Sequence, residues 1–196
     1  MLLGQGARIG LKASDGATAL HLAAEAGRAD VVTLLIDHGA SVSALDQMKH
    51  TPFTIALVSG HLEIADKLLR LGADVNQRTE PFSVTPVMWA ALSGRVNQVD
   101  FLIRSGSDVQ ARDARGQTPL HHAVVGAVAG VVKTEWDERG NSIVLEKPGN
   151  VEQVVKRLLS AGADARVKDN DGMSPSDWAK KGRLHEIGGL LEIGGT

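Results

Sequence analysis

The side chains with the most obvious chemical potential are His121 and His122, adjacent imidazoles that could bind a metal or exchange protons. Neighbouring positions on a helix point in different directions, so the pair makes a poor bidentate site. Asp169, Asn170, Asp171 and Gly172 resemble a calcium loop, but an EF-hand needs an Asp five positions before its Gly, and Val167 stands there. The segment reads as a turn. Asp137 and Glu138 form a carboxylate pair with no apolar setting to raise a pKa and no nearby His to serve. No P-loop, GxSxG, HExxH or dinucleotide fingerprint occurs. The basic residues Lys180, Lys181 and Arg183, with Arg166 and Lys168, are interleaved with Asp164, Asp169, Asp171 and Asp177, which breaks up any nucleic-acid stripe. No catalytic, cofactor-binding or metal residue is assigned, no cofactor is expected, and the chain is not expected to be an enzyme.

The elements that carry these residues are suggested by composition. Aromatics make up 3% of the 196 residues, with no Tyr, while Gly, Ala and Leu abound, which suits closely packed short helices better than a β-sandwich. There is no Cys, which removes disulfides and Cys-based metal sites. A formal net charge of −2 gives no global attraction to nucleic acid or anionic lipid. No apolar run approaches the roughly 18 residues of a membrane span, and the Gly-rich N-terminus does not read as a signal peptide. Neither nucleic acid nor membrane is an expected partner. A cytoplasmic location is favoured, with export behind a removed leader left open.

An internal repeat organises the whole chain. Gly6, Gly39, Gly72, Gly106 and Gly162 are spaced 33, 33, 34 and 56 residues apart. Thr18, Thr51, Thr85, Thr118 and Ser174 keep the same beat, with spacings of 33, 34, 33 and 56. Each unit begins with a turn, clearest in Asp113 to Gly116 and Asp169 to Gly172, in which Asp can bond its own backbone and Gly accepts a positive φ. Thr-Pro then opens a short helix, at Thr51-Pro52, Thr85-Pro86 and Thr118-Pro119. Gly27, Gly60 and Gly94 are placed to end it in the left-handed conformation. A second helix follows, with apolar residues at helical spacing, such as Leu62, Ile64, Leu68 and Leu69. Met88, Trp89 and Trp178 are read as core residues, at the apolar level of Leu22 and Ile55.

Thr118-Pro119-Leu120-His121 and Thr18-Ala19-Leu20-His21-Leu22-Ala23-Ala24 resemble the signature of the ankyrin-repeat family, a turn followed by two antiparallel helices. The resemblance implies an all-α solenoid of stacked helix-turn-helix units in one domain spanning 1–196. It would comprise a half-repeat at 1–12, repeats at 13–45, 46–78, 79–112 and 113–168, and a C-terminal capping repeat at 169–196. It also implies that His21 and His121 tie neighbouring turns together. Thr54, Met88 and Asp177 replace that His in three copies, and residues 79–84 lack the turn glycine. Leu2 and Leu3 align with Leu35 and Ile36, so the chain opens near the end of an outer helix and an apolar face of the first full repeat is expected to be exposed. Gly188 and Gly189 weaken the last helix, where a frayed cap is expected.

The fourth repeat, at 56 residues against 33, carries 23 extra residues. The inner helix is expected to end near Gly126 and the outer one to start near Val151, with the insertion at about 127–150. Val131 to Trp136 and Ser142 to Glu146 flank a polar turn with Gly140, the pattern of a β-hairpin.

The resemblance finally implies a function: a protein-protein interaction scaffold that holds its partner on a concave face lined by turn tips and inner helices. An alternative is a regulatory or targeting module of a larger, even enzymatic, parent chain, so the partner is another protein or another domain of that parent. Position by position, the family's contact sites fall on Met48, His50, Phe82, Leu92, Arg115 and Gln117, with Trp136 of the insertion flanking them. Aromatics, Arg and Met are the residues most often dominant in interfaces. A monomer is expected unless the exposed N-terminal repeat face self-associates.

Overall fold

The computed structural model describes residues 8–129, 134–136, 142–144 and 150–193. The chain divides into two compact units, Met1–Pro86 and Val87–Thr196. The first unit holds α1 (Ala19–Glu25), α2 (Ala29–Asp37), α3 (Pro52–Val58) and α4 (Leu62–Arg70). Helix α1 packs on α2 and on α3, and α3 on α4. The core of this unit is Leu20, Val32, Leu35, Phe53, Leu57, Ile64 and Leu68, all buried, with Ala24, Ala56 and Ala65 where the helices come closest.

The second unit runs from α5 (Pro86–Leu92) and α6 (Val96–Arg104) to α7 (Pro119–Ala129), α8 (Val151–Ser160), α9 (Pro175–Lys181) and α10 (His185–Ile193). Helix α7 packs on α8 and α9, α8 on α6 and α10, and α9 on α10. Val87, Met88, Val99, Leu102, Leu120, Val124, Val154, Leu158 and Leu191 form its core. Among the described residues of both units, no helix is long and apolar enough to cross a membrane.

Local chemistry starts and stops the helices at the repeated positions. Thr51 and Thr54 cap α3 reciprocally: the Thr54 amide donates to the Thr51 hydroxyl oxygen (3.2 Å) and the Thr51 amide to that of Thr54 (2.8 Å). Ser174 and Asp177 do the same for α9, at 3.1 and 2.9 Å. The residue three after the cap is therefore a capping-box partner, which a short hydroxyl or carboxylate fills as well as an imidazole. Each helix pair turns at a residue of positive φ, at Gly27, Gly60, Gly94 and Arg183 (68°, 85°, 63° and 57°).

The corresponding residue of α7 is Ala127, and there the helix does not stop. It continues to Ala129, past the expected end at Gly126. Gly126 lies inside the helix for a different reason: a Cβ there would sit 2.0 Å from the carbonyl oxygen of Leu92. The glycine permits close approach rather than termination. Beyond α7, β1 (Thr134–Trp136) pairs antiparallel with β2 (Ser142–Val144), Glu135 facing Ile143. These are two three-residue segments within a domain that is otherwise helical. The hairpin turn expected around Gly140 and the remaining insertion residues lie outside the described part of the chain, as do Leu2 and Leu3. Helix α10 runs through Gly188 and Gly189 to Ile193, where the sequence suggested fraying.

Two substitutions test these assignments by urea denaturation. Gly126→Ala should lower stability by about 2–4 kcal/mol, because a backbone carbonyl cannot move aside as a side chain can. Arg183→Gly should raise it by about 0.5–1 kcal/mol, by removing a Cβ from a left-handed residue.

Candidate protein-interaction site

The turns preceding the inner helices share one geometry. Asp46 donates its amide to the His50 carbonyl (3.1 Å), Asp113 to Gln117 (3.0 Å) and Asp169 to Met173 (2.9 Å). One carboxylate oxygen of each Asp then accepts two backbone amides: Met48 and His50 for Asp46, Arg115 and Gln117 for Asp113, Asp171 and Met173 for Asp169. The second oxygen takes a side-chain donor, from His50 (2.9 Å), His122 (3.0 Å) and Trp178 (2.8 Å) respectively. Burial opposes ionisation of all three carboxyls. The donated hydrogen bonds outweigh it and hold their pKa values below the usual 3.8. The turn at 79–84 closes instead from Thr79 to Val84 (2.9 Å), one residue longer, which accounts for the 34-residue spacing. Its missing glycine is replaced by Ser83 at φ 60°, matching Lys49 at 63° and Gly116 at 74°.

Successive turns are stitched together. In the first unit the Gln47 amide donates to the Asp15 carbonyl (3.0 Å) and the Glu80 amide to that of Met48 (2.8 Å). In the second, the Asn170 amide donates to the Arg115 carbonyl (2.9 Å). His21 and His121 add a grip from below. Each accepts the amide of its helix cap on Nδ1, Thr18 or Thr118, at 3.1 Å. Nε2 therefore carries the proton and donates to the carbonyl of His50 (3.1 Å) or Met173 (3.0 Å). Burial holds both imidazoles below the ordinary 6.5.

This geometry sorts the candidate contact residues by their place in the turn. Met48, Phe82 and Arg115 all stand three residues before the capping Thr, at the exposed tip. Gln117 and His50 stand one before it, where the side chain turns inward. Gln117 is buried and hydrogen-bonds Asp169, so it is withdrawn as a surface contact. His50 is half-buried and committed to Asp46. Leu92 is half-buried on α5. The side chain of Trp136 lies outside the described part of the chain. Met48, His50 and Phe82 belong to the first unit and Leu92, Arg115 and Gln117 to the second.

Two surface residues escape the sequence reading. Leu22 and Trp89, expected in the core, are 54% and 40% exposed. The position four after the cap lies two residues past the buried Leu20 and Val87, about 200° around a helix, and so points away from the core. That relation was legible in the spacing. His122 and Trp178 occupy the same position but lean on the turn carboxylates Asp113 and Asp169, whereas Ala13 and Thr79 stand in the corresponding turn positions below Leu22 and Trp89. In the first unit Leu22, Met48, Val58 and Phe82 are thus exposed together on inner helices and turn tips.

A family model for ankyrin repeats in three copies matches residues 1–79 and 76–134. The chain belongs to the ankyrin-repeat family. It is 31% identical over 195 residues to human ankyrin repeat and SOCS box protein 16, covering 98% of this chain and 38% of that protein. It is 43% identical over 61 residues to a probable E3 ubiquitin-protein ligase of Oryza sativa subsp. japonica, 31% of this chain and 14% of that one. The crystal structure of an ankyrin repeat domain from Acinetobacter baumannii AYE aligns with a TM-score of 0.79 and 29% identity, over 99% of this chain and 89% of that one. The chain spans well under half the length of these two curated relatives. Ankyrin repeats are generally non-catalytic protein-protein interaction modules; His121 links its turn to the next through Met173, and His122 braces the turn of its own repeat through Asp113.

The imidazoles make stability depend on pH. Their pKa is lower folded than unfolded, so their contribution is complete above 6.5 and is lost as pH falls from there toward the folded value. Each contributes at most about 1.4 kcal/mol per pH unit in that window. Denaturation midpoints measured from pH 7.5 to 5 should fall, and His121→Gln, which keeps a capping side chain, should flatten the slope.

Proposed function

We propose that this chain is a protein-binding scaffold whose partner lies against the inner helices and turn tips, the face that is concave in a stacked ankyrin array. One observation carries the reading: Leu22, Met48, Val58 and Phe82 are large apolar residues exposed on a well-packed first unit. Scattered apolar residues are ordinary, but four on inner helices and turn tips support an interaction surface there. The turns that present them are held by carboxylate, cap and main-chain hydrogen bonds, so little ordering cost opposes binding. In the second unit, Arg115 and Leu92 form a separate proposed contact set. Trp136, from the paired segments inserted after α7, joins it on the grounds of residue type.

A second reading, as a regulatory or targeting module of a larger, even enzymatic, parent chain, is supported by the relatives, of which the matched segments make up 38% and 14%. One is named for a SOCS box and another for a probable ubiquitin-ligase activity, and an adaptor role beside such an activity fits a rigid binding module. Sequencing the gene on both sides of the coding segment tests this, and in-frame stops at both borders would remove it.

The scaffold itself is tested by affinity capture with mass spectrometry. Leu22→Ala, Met48→Ala and Phe82→Ala alter exposed side chains and should leave the thermal transition nearly unchanged. Each should weaken partner capture by about 1–2 kcal/mol, and the triple variant should abolish it. A folded triple variant that captures the same proteins as the parent chain would exclude this surface.

A further inference from the structure

The Asp46 turn differs from its two counterparts in how the second carboxylate oxygen is occupied. In the second unit that oxygen takes a donor from the inner helix, the ring of His122 on Asp113 and the indole of Trp178 on Asp169, each four residues after the helix cap. In α3 the same place belongs to Ile55, which has nothing to donate. Asp46 Oδ2 is reached instead from within the turn, by Nδ1 of His50 at 2.9 Å. The residues immediately before the other caps are Ala17, Val84, Gln117 and Met173. Three of these have no side-chain nitrogen or oxygen, and Gln117 is buried against Asp169. An accessible polar side chain thus enters this position at His50.

The contact also settles which nitrogen of the ring carries the proton. Burial opposes ionisation of Asp46, but the bonds from the His50 ring and from the Met48 and His50 amides outweigh it. A carboxylate accepts and does not donate, so in the neutral ring the proton sits on Nδ1 and Nε2 keeps its lone pair. Nε2 makes no hydrogen bond to the described residues, and the His50 side chain is 27% exposed. The main chain holds this acceptor beside the apolar surface of the first unit. His21 Nε2, from the helix that carries Leu22, donates to the His50 carbonyl (3.1 Å). The Glu80 amide, from the turn that carries Phe82, donates to the Met48 carbonyl (2.8 Å). Lys49, exposed between Met48 and His50, has donors alone and cannot replace the acceptor.

We propose that His50 is the polar specificity determinant of the surface formed by Leu22, Met48, Val58 and Phe82, and that the segment it fits sets one donor-only side chain, Lys, Arg or Trp, among apolar ones. The inference rests on a partner lying against that surface. A donor meets Nε2 without rearrangement, because Asp46 already keeps the proton on Nδ1. A carboxylate or carbonyl in the same place faces a lone pair and gives up its water for nothing. Selectivity then comes from rejecting the mismatched partner as much as from holding the matched one. Asp46 acts through the ring and is a positioning residue.

The test uses the whole chain at pH 8, above the ordinary imidazole pKa of about 6.5, and a phage-displayed library of random short peptides. Clones that also bind the triple variant Leu22→Ala, Met48→Ala, Phe82→Ala are discarded. The remaining sequences should share a Lys, Arg or Trp flanked by apolar residues, and should bind His50→Phe about fivefold to tenfold more weakly. Asp46→Asn keeps an oxygen for the two turn amides but offers Nδ2–H to the ring, which moves the ring proton to Nε2. Peptides selected on that variant should carry Asp or Glu where the first set carries the donor. Ring nitrogen chemical shifts should show His50 protonated on Nδ1 in the parent chain and on Nε2 in Asp46→Asn. If Asp46→Asn melts early, His50→Phe decides alone, since it leaves the amide-binding oxygen of Asp46 in place. Peptides without donor enrichment, equal affinity for the parent and His50→Phe, or a parent ring protonated on Nε2 would each overturn the proposal and leave the apolar surface standing. A library with no clone that separates the parent from the triple variant would remove the surface and this inference together.

Discussion

A helix of seven residues does not persist in water, because the cost of its first turn is recovered only over a dozen residues or more. The inner helices α1, α3, α5 and α9 are all seven residues long. They exist because each buries one flank against neighbouring helices, through Leu20 and Ala24 in one case and Phe53 and Ala56 in the next. That constraint explains the abundance of Ala and Gly, the caps at both ends of so many helices, and the regular spacing. A helix this short is mostly ends, so end chemistry decides whether it forms.

The same economy governs the turns. A single Asp oxygen organises two amides and the other anchors a side chain, so Asp46, Asp113 and Asp169 each rigidify a turn with one residue. Where Asp is absent, the consequences differ. The turn beginning at Thr79 lengthens by a residue, and the helix position that would lean on the carboxylate stays outside as Trp89. The hydrogen-bonded turn positions are separate from the tips, whose chemistry varies through Asp15, Met48, Phe82, Arg115 and Asp171. Fold and surface chemistry thus use different residues of the same turn.

Much of this was legible in the chain. Two landmarks on one period established the helix pairs, and the Thr-Pro and Gly positions placed most boundaries correctly, since caps and left-handed residues act within a few neighbours. Reading His121 and His122 as structural links also agrees with their hydrogen bonds. Local pattern was less reliable where a residue's role depended on an approach from elsewhere. Gly126 looks like a helix stop but is a point of contact with the Leu92 carbonyl. Gln117 looks like a tip residue but faces Asp169 of the next repeat.

Sequence alone determined the repeat, the family, the order of short helices and the tip positions of Met48, Phe82 and Arg115, because period, capping and turn chemistry are short-range properties written in residue type. Tertiary structure decided which apolar residues are hidden and which are offered: Met88 buried, Trp89 and Leu22 exposed, His122 and Trp178 drawn to a carboxylate. It also revealed that the His50 ring is turned onto Asp46 through Nδ1. Exposure and partnership are properties of the space between repeats, and that space is created only when the helices pack.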